Sequence, residues 1–128
     1  MMNQTLDRPQ RTSRGRTPKD NIRTVNSSTF QPLVLEGKGP IVVEFMSYSC
    51  SHCGAMELVL QQVAETVKSK EKFFRVNTAM EPELAGNFKI QGTPTLIMFL
   101  NGREVGRVEG PSPTISSVLT AVTQPFES

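Results

Sequence analysis

The sequence predicts a single α/β domain, a mixed central β-sheet with helices on both faces. Three stretches carry that prediction. Residues 41–46 (IVVEFM) form a near-continuous apolar run, as expected of a strand covered on both sides. Residues 54–70 (GAMELVLQQVAETVKSK) place Met56, Leu60, Val63 and Val67 at helical spacing, with Val59 beside them. Residues 95–110 (TLIMFLNGREVGRVEG) are two strand-like runs joined by Asn101-Gly102, a strong hairpin signal.

The remaining elements follow in chain order. IRTV, starting at Ile22, is a short strand candidate. Ser27-Ser28-Thr29-Phe30 reads as an N-cap leading into a short helix, QPLVLEG, with Pro32 in its first turn. Gly37 and Gly39-Pro40 end that helix and open the central strand. In the long helix, Glu57, Gln61, Gln62, Glu65 and Lys68 take the side opposite the apolar stripe. KFFRVNT is a third strand, and Pro82 begins a short helix, PELAGNF. After the hairpin, a last helix runs from about Thr114 to Thr123. The order β-α-β-α-β-α-β-β-α requires a mixed sheet in an α/β sandwich.

At 128 residues the chain can close one core without staples. No apolar run approaches the roughly 18 residues needed to cross a bilayer. The net charge of +2 conceals an asymmetry: residues 1–23 sum to +4 and the remainder to −2. Residues 1–21 are nearly devoid of apolar side chains and are expected to be a disordered basic tail, with residues 22–128 forming the domain. Without interleaved aromatics or a folded basic face, the tail does not favour nucleic-acid binding. The N-terminus is basic but has no apolar h-region, so a cytoplasmic location is expected. There, two cysteines point to catalysis or metal binding rather than to a structural disulfide.

Both cysteines and the only histidine lie in residues 50–53, Cys50-Ser51-His52-Cys53, just after the central strand. Positions i and i+3 share a helix face, so both thiols project to one side. Cys50 falls at the helix start, where unpaired N–H groups and the helix dipole favour an anion. A thiolate is that anion and is the nucleophilic form. Cys53, one turn deeper, is placed to attack a mixed disulfide formed on Cys50. Such exchange needs no cofactor beyond the Cys50–Cys53 pair. His52, when protonated, adds positive charge beside the Cys50 thiolate and makes the disulfide more oxidising. Glu44 interrupts the apolar strand. It must either face water or hold a proton with a perturbed pKa, and in the second case it can relay a proton to or from Cys53.

The segment VVEFMSYSCSHC, the helix after it, KFFRVN, IQGTPTLIMFLNG and VEG together resemble the thioredoxin family over about residues 22–126. The resemblance implies the thioredoxin fold and thiol–disulfide exchange with protein substrates. It makes Cys50 the attacking and Cys53 the resolving cysteine, and sets Glu44 where thioredoxins usually carry a buried aspartate. Pro94 falls at the family's cis-proline, an accessible state for an X–Pro bond. Thr93 would then lie beside the cysteines and pair its backbone with an extended substrate peptide. Gly92 and Gly110 resemble glycines that keep the peptide groove open. Met46, Tyr48, Phe88 and Phe99 are read as core or rim. A recycling reductase or oxidase, and a monomeric state, complete the expectation.

This chain also departs from the family pattern. Ser49 replaces the usual tryptophan, Ser51-His52 replaces Gly-Pro, Gly54 follows the second cysteine where lysine is common, and Leu58 replaces a proline. A histidine before the second cysteine resembles the disulfide-forming and isomerising members. Three readings therefore stand: a thioredoxin-like reductase, a more oxidising member, or a thioredoxin-fold binding module with weak redox activity. A metal site is disfavoured, because structural zinc takes four ligands and Cys50, His52 and Cys53 supply at most three.

Overall fold

The structure is a computed structural model that describes residues 20–127, so most of the predicted basic tail lies outside the described residues. Asp20 and Asn21, assigned to that tail by composition, are held by the domain. Asn21 N donates to Gln61 Oε1 (2.9 Å) and Gln61 Nε2 donates to Asp20 Oδ1 (2.8 Å).

The elements appear in the predicted order. Among the described residues, five strands, β1 (Ile22–Thr24), β2 (Pro40–Met46), β3 (Lys72–Asn77), β4 (Thr95–Leu100) and β5 (Arg103–Glu109), form one sheet ordered β1-β3-β2-β4-β5. The pairs β1–β3 and β3–β2 are parallel, whereas β2–β4 and β4–β5 are antiparallel. Among the described residues, three α-helices pack on the sheet, α1 (Ser51–Val67), α2 (Pro82–Asn87) and α3 (Ile115–Thr123), with a π-helical turn at Gln31–Leu35.

Strand β2 explains its own composition. Side chains alternate between faces along a strand. Ile41, Val43 and Phe45 join one core cluster with Phe30, Val34 and Phe99. Val42 joins the other, with Met56, Leu60, Val63 and Val118. A strand buried on both faces has no room for alternation, hence the continuous apolar run. Phe88 closes the first cluster, its ring centroid 5.3 Å from Phe30 and 5.6 Å from Phe99. Met46 is buried, and Tyr48 stands on the exposed rim.

The turns obey local chemistry. Asn101 (φ 52°) and Gly102 (φ 85°) both occupy the left-handed region that a two-residue hairpin demands. Gly102 is doubly constrained, since a Cβ there would collide with the Leu35 carbonyl oxygen. Helix α3 is capped by Thr114, whose hydroxyl accepts from Ser117 N (3.2 Å). The turn before the first helical segment differs from expectation. The N-cap is Phe30, inside the predicted run, but no side chain caps it; the turn before it is closed by Asn26, whose Oδ1 accepts from Ser28 N (2.9 Å) and Thr29 N (3.0 Å). An Asx turn reaches the same donors from one residue further back.

The polar side of α1 also differs. Gln61 binds Asp20 and Asn21, and Glu57 turns toward the sheet, where it meets Arg75. Glu57 is drawn by the opposite charge of Arg75, whereas Gln61 is held by hydrogen bonds.

Candidate active site at the head of the first long helix

Strand β2 ends at Met46, and a serine-rich turn carries the chain to α1. Cys50 N donates to the Ser47 carbonyl (3.1 Å), and the hydroxyls of Ser47 and Ser49 lie 2.9 Å apart. Cys50 is the N-cap of α1, with extended dihedrals (φ −91°, ψ 113°). Its sulfur accepts from Cys53 N at 3.1 Å, one of the helix's otherwise unpaired donors. The two cysteines are joined as a disulfide, their Cα atoms 5.2 Å apart. Cys50 is half-buried, whereas Cys53 is only 3% exposed. The outer cysteine is partly open to solvent and the inner one is covered.

The β3–β4 connection is brought against this pair. Cys50 Sγ lies 3.4 Å from the Thr93 carbonyl oxygen, and the Thr93–Pro94 peptide is cis. Gly110 N donates to the Pro94 carbonyl (2.8 Å), tying the end of β5 to the same place. Gly92 has open space around its Cα, and Gly110 adopts φ +54°, a conformation that favours glycine. The exposed His52 ring places Nε2 3.1 Å from the Pro111 carbonyl. A carbonyl only accepts, so Nε2 carries the proton and the ring is held toward the Gly110–Pro111 loop.

Glu44 lies beneath the pair and does not face water: its side chain is 1% exposed. It shares the α1-facing side of the sheet with Val42, beside Arg75 of β3 and Leu96 of β4 in register. Burial pushes its carboxyl up to about 7, with Arg75 opposing and Glu57 adding to the rise. Arg75 is also buried. Its Nη2 donates to both Glu57 oxygens (2.8 and 3.1 Å), while its Nε is 3.8 Å from Glu44 Oε1, too long for a hydrogen bond. A cavity of about 340 Å³ opens here, lined by Met46, Tyr48, Cys50, Cys53, Glu57 and Arg75 among others. It connects both sulfurs to the charged cluster.

The geometry thus gathers Cys50, Cys53, Gly92, Thr93, Pro94 and Gly110 at one surface, with His52 at its edge and Glu44 beneath. Arg75 and Glu57 were not singled out from the sequence. The available signal was an arginine inside the apolar strand KFFRVN, which needs a carboxylate partner to be buried. Among the described residues, no group of three or more His, Cys, Asp or Glu side chains could hold a metal ion, and no helix is long and apolar enough to cross a membrane.

A five-stranded mixed sheet with a Cys-x-x-Cys disulfide capping a helix, set against a cis-proline, defines a protein of the thioredoxin fold. Comparison with known proteins gives the family. The thioredoxin family model matches residues 21–121. Thioredoxin 1 of Nostoc sp. is 34% identical over 97 residues, covering 74% of this chain and 91% of that protein. Chloroplastic thioredoxin M2 of Arabidopsis thaliana is 32% identical over 101 residues, covering 77% of this chain and 54% of that protein. This chain therefore spans about half the length of that plant relative. The crystal structure of a thioredoxin (Mala s 13) from Malassezia sympodialis superposes with a TM-score of 0.75 at 23% identity, covering 87% of this chain and 96% of that one. The chain belongs to the thioredoxin family.

Proposed function

We propose that this protein is a thiol–disulfide oxidoreductase acting on protein disulfides, and that it works as a thioredoxin-like reductase. One observation carries the reading. Cys50 Sγ, half-exposed, accepts from a helix-terminal N–H and simultaneously adjoins the Thr93 backbone. Family membership and the joined cysteine pair support the same chemistry.

In the reduced protein, the Cys53 N–H and the α1 dipole stabilise a Cys50 thiolate. An extended substrate segment pairs with the Thr93 backbone, the groove left open at Gly92 and Gly110. The thiolate attacks one substrate sulfur, a Cys50–substrate disulfide forms, and the other substrate sulfur leaves as a thiolate. Cys53 then attacks Cys50 Sγ, passing its proton toward Glu44. The Cys50–Cys53 bond forms and the second substrate thiolate is released. Two electrons have passed to the substrate, and a recycling reductase in the same compartment, the cytoplasm in our reading, restores the dithiol. No cofactor beyond the sulfur pair enters this cycle.

His52 motivates a more oxidising alternative, because a cation near Cys50 favours the reduced form. Two measurements discriminate. Cys53→Ser protein mixed with an oxidised protein substrate should accumulate a mixed disulfide through Cys50; absence of that adduct defeats the oxidoreductase reading. Equilibration of the wild-type pair with glutathione should then give a potential near that of thioredoxins, about −270 mV, whereas a value near about −120 mV selects the oxidising alternative.

A further inference from the structure

We propose that Glu57 is a positioning residue that holds Arg75 away from Glu44, and so sets how firmly Glu44 keeps the proton it exchanges with Cys53. The proposal deepens the proposed function and rests on Glu44 acting as the proton group there.

The geometry is unequal. Glu44 and Arg75 are neighbours in the parallel β2–β3 register and share one face of the sheet, so their pairing would be expected. Yet Arg75 Nη2 makes two hydrogen bonds to Glu57 (2.8 and 3.1 Å) and its Nη1 approaches Asp20 Oδ2 at 3.8 Å. Only Nε is aimed at Glu44, at 3.8 Å, and it makes no hydrogen bond among the described residues. Neither Glu44 oxygen accepts a hydrogen bond either.

Glu57 reaches Arg75 because it stands one helical turn past Cys53 on α1, at the floor of the cavity that both line. Glu57 is 39% exposed and keeps contact with water, whereas Glu44, at 1%, must give up its hydration to ionise. A guanidinium taken by the outer carboxylate leaves the inner one to hold a proton. The charged groups facing Glu44 are Arg75 from β3 and Glu57 from α1, with Asp20 acting through Arg75 and Cys53 joining once reduced. Its β4 neighbour is the uncharged Leu96.

The test is isosteric. In Glu57→Gln protein, Arg75 is free to turn to Glu44, and an opposite charge at hydrogen-bond distance lowers a carboxyl pKa by about 1 unit or more. The infrared carboxyl band of Glu44, assigned with Glu44→Gln, should therefore titrate at least about tenfold more acidic than in wild type. An unmoved midpoint in both Glu57→Gln and Glu57→Ala overturns the proposal. An equal displacement in an Arg75→Met background also overturns it, since Glu57 would then act by repulsion alone. The pH profile of mixed-disulfide release should move with the band. If the band moves and that profile does not, the arrangement of Arg75 stands and Glu44 is not the proton group of the exchange.

Discussion

Replacing Cys50 by serine should lower the rate of protein-disulfide reduction by about three orders of magnitude or more, equivalent to roughly 4 kcal/mol of barrier. The argument lies in the placement of the sulfur. Cys50 Sγ accepts from Cys53 N (3.1 Å) at the positive end of α1, so the same donor that caps the helix would stabilise a thiolate there, as the proposed reaction requires. A serine oxygen at this position can still cap α1, so the fold should persist while the chemistry disappears. Its hydroxyl pKa is far too high for the helix end to ionise it, and an S–O bond cannot stand in for the mixed disulfide. Insulin precipitation under dithiothreitol, read against reagent alone, measures the loss, with circular dichroism confirming the fold. Substantial residual turnover would mean that electrons enter through Cys53. The 3% exposure of Cys53 argues against that route.

Replacing Glu44 by glutamine should stabilise the oxidised protein at pH 8 by about 3 kcal/mol and change it little near pH 4.5. The sign follows from linkage. Glu44 is raised from 4.5 to about 7 in the folded state, chiefly by desolvation. The folded protein therefore binds more protons than the unfolded chain between these values, and stability falls as pH rises through that window. At about 1.4 kcal/mol per unit, the shift corresponds to roughly 3 kcal/mol, present below 4.5 and lost by pH 8. Glutamine fills the same volume and cannot ionise. Glu71 is raised to about 7 by its own burial and pulls in the same direction, but it is common to both proteins. The difference between them isolates Glu44. Urea unfolding at pH 5 and pH 8 measures it, and parallel stability profiles for the two proteins would show that Glu44 is not the buried acid described here.

The two predictions probe the same site from opposite sides. One removes the outer sulfur, and the other removes the buried carboxyl on the α1-facing side of the sheet. If both hold, Glu57→Gln becomes informative, because it changes neither the sulfur nor the acid but only the partner of Arg75.

Much of the architecture was legible in the residues themselves. The apolar run at 41–46, the stripe Met56-Leu60-Val63 and the Asn101-Gly102 turn each encode a local conformation, and local conformation follows from period and backbone sterics. Cys50 at a helix start was legible for the same reason, since capping depends on residues three apart. The Asn26 turn was missed because several side chains in Asn26-Ser27-Ser28-Thr29 can serve the same donors, and only the path of the chain selects one.

By itself, then, the sequence determined the elements, their order and the reactive pair, all of which depend on neighbours within a few residues. The tertiary structure alone decided that Arg75 gives its fork to Glu57 rather than Glu44 and that His52 turns to Pro111. Those contacts join residues 18 to 59 positions apart, and their outcome depends on register, on burial and on which of two carboxylates water can still reach.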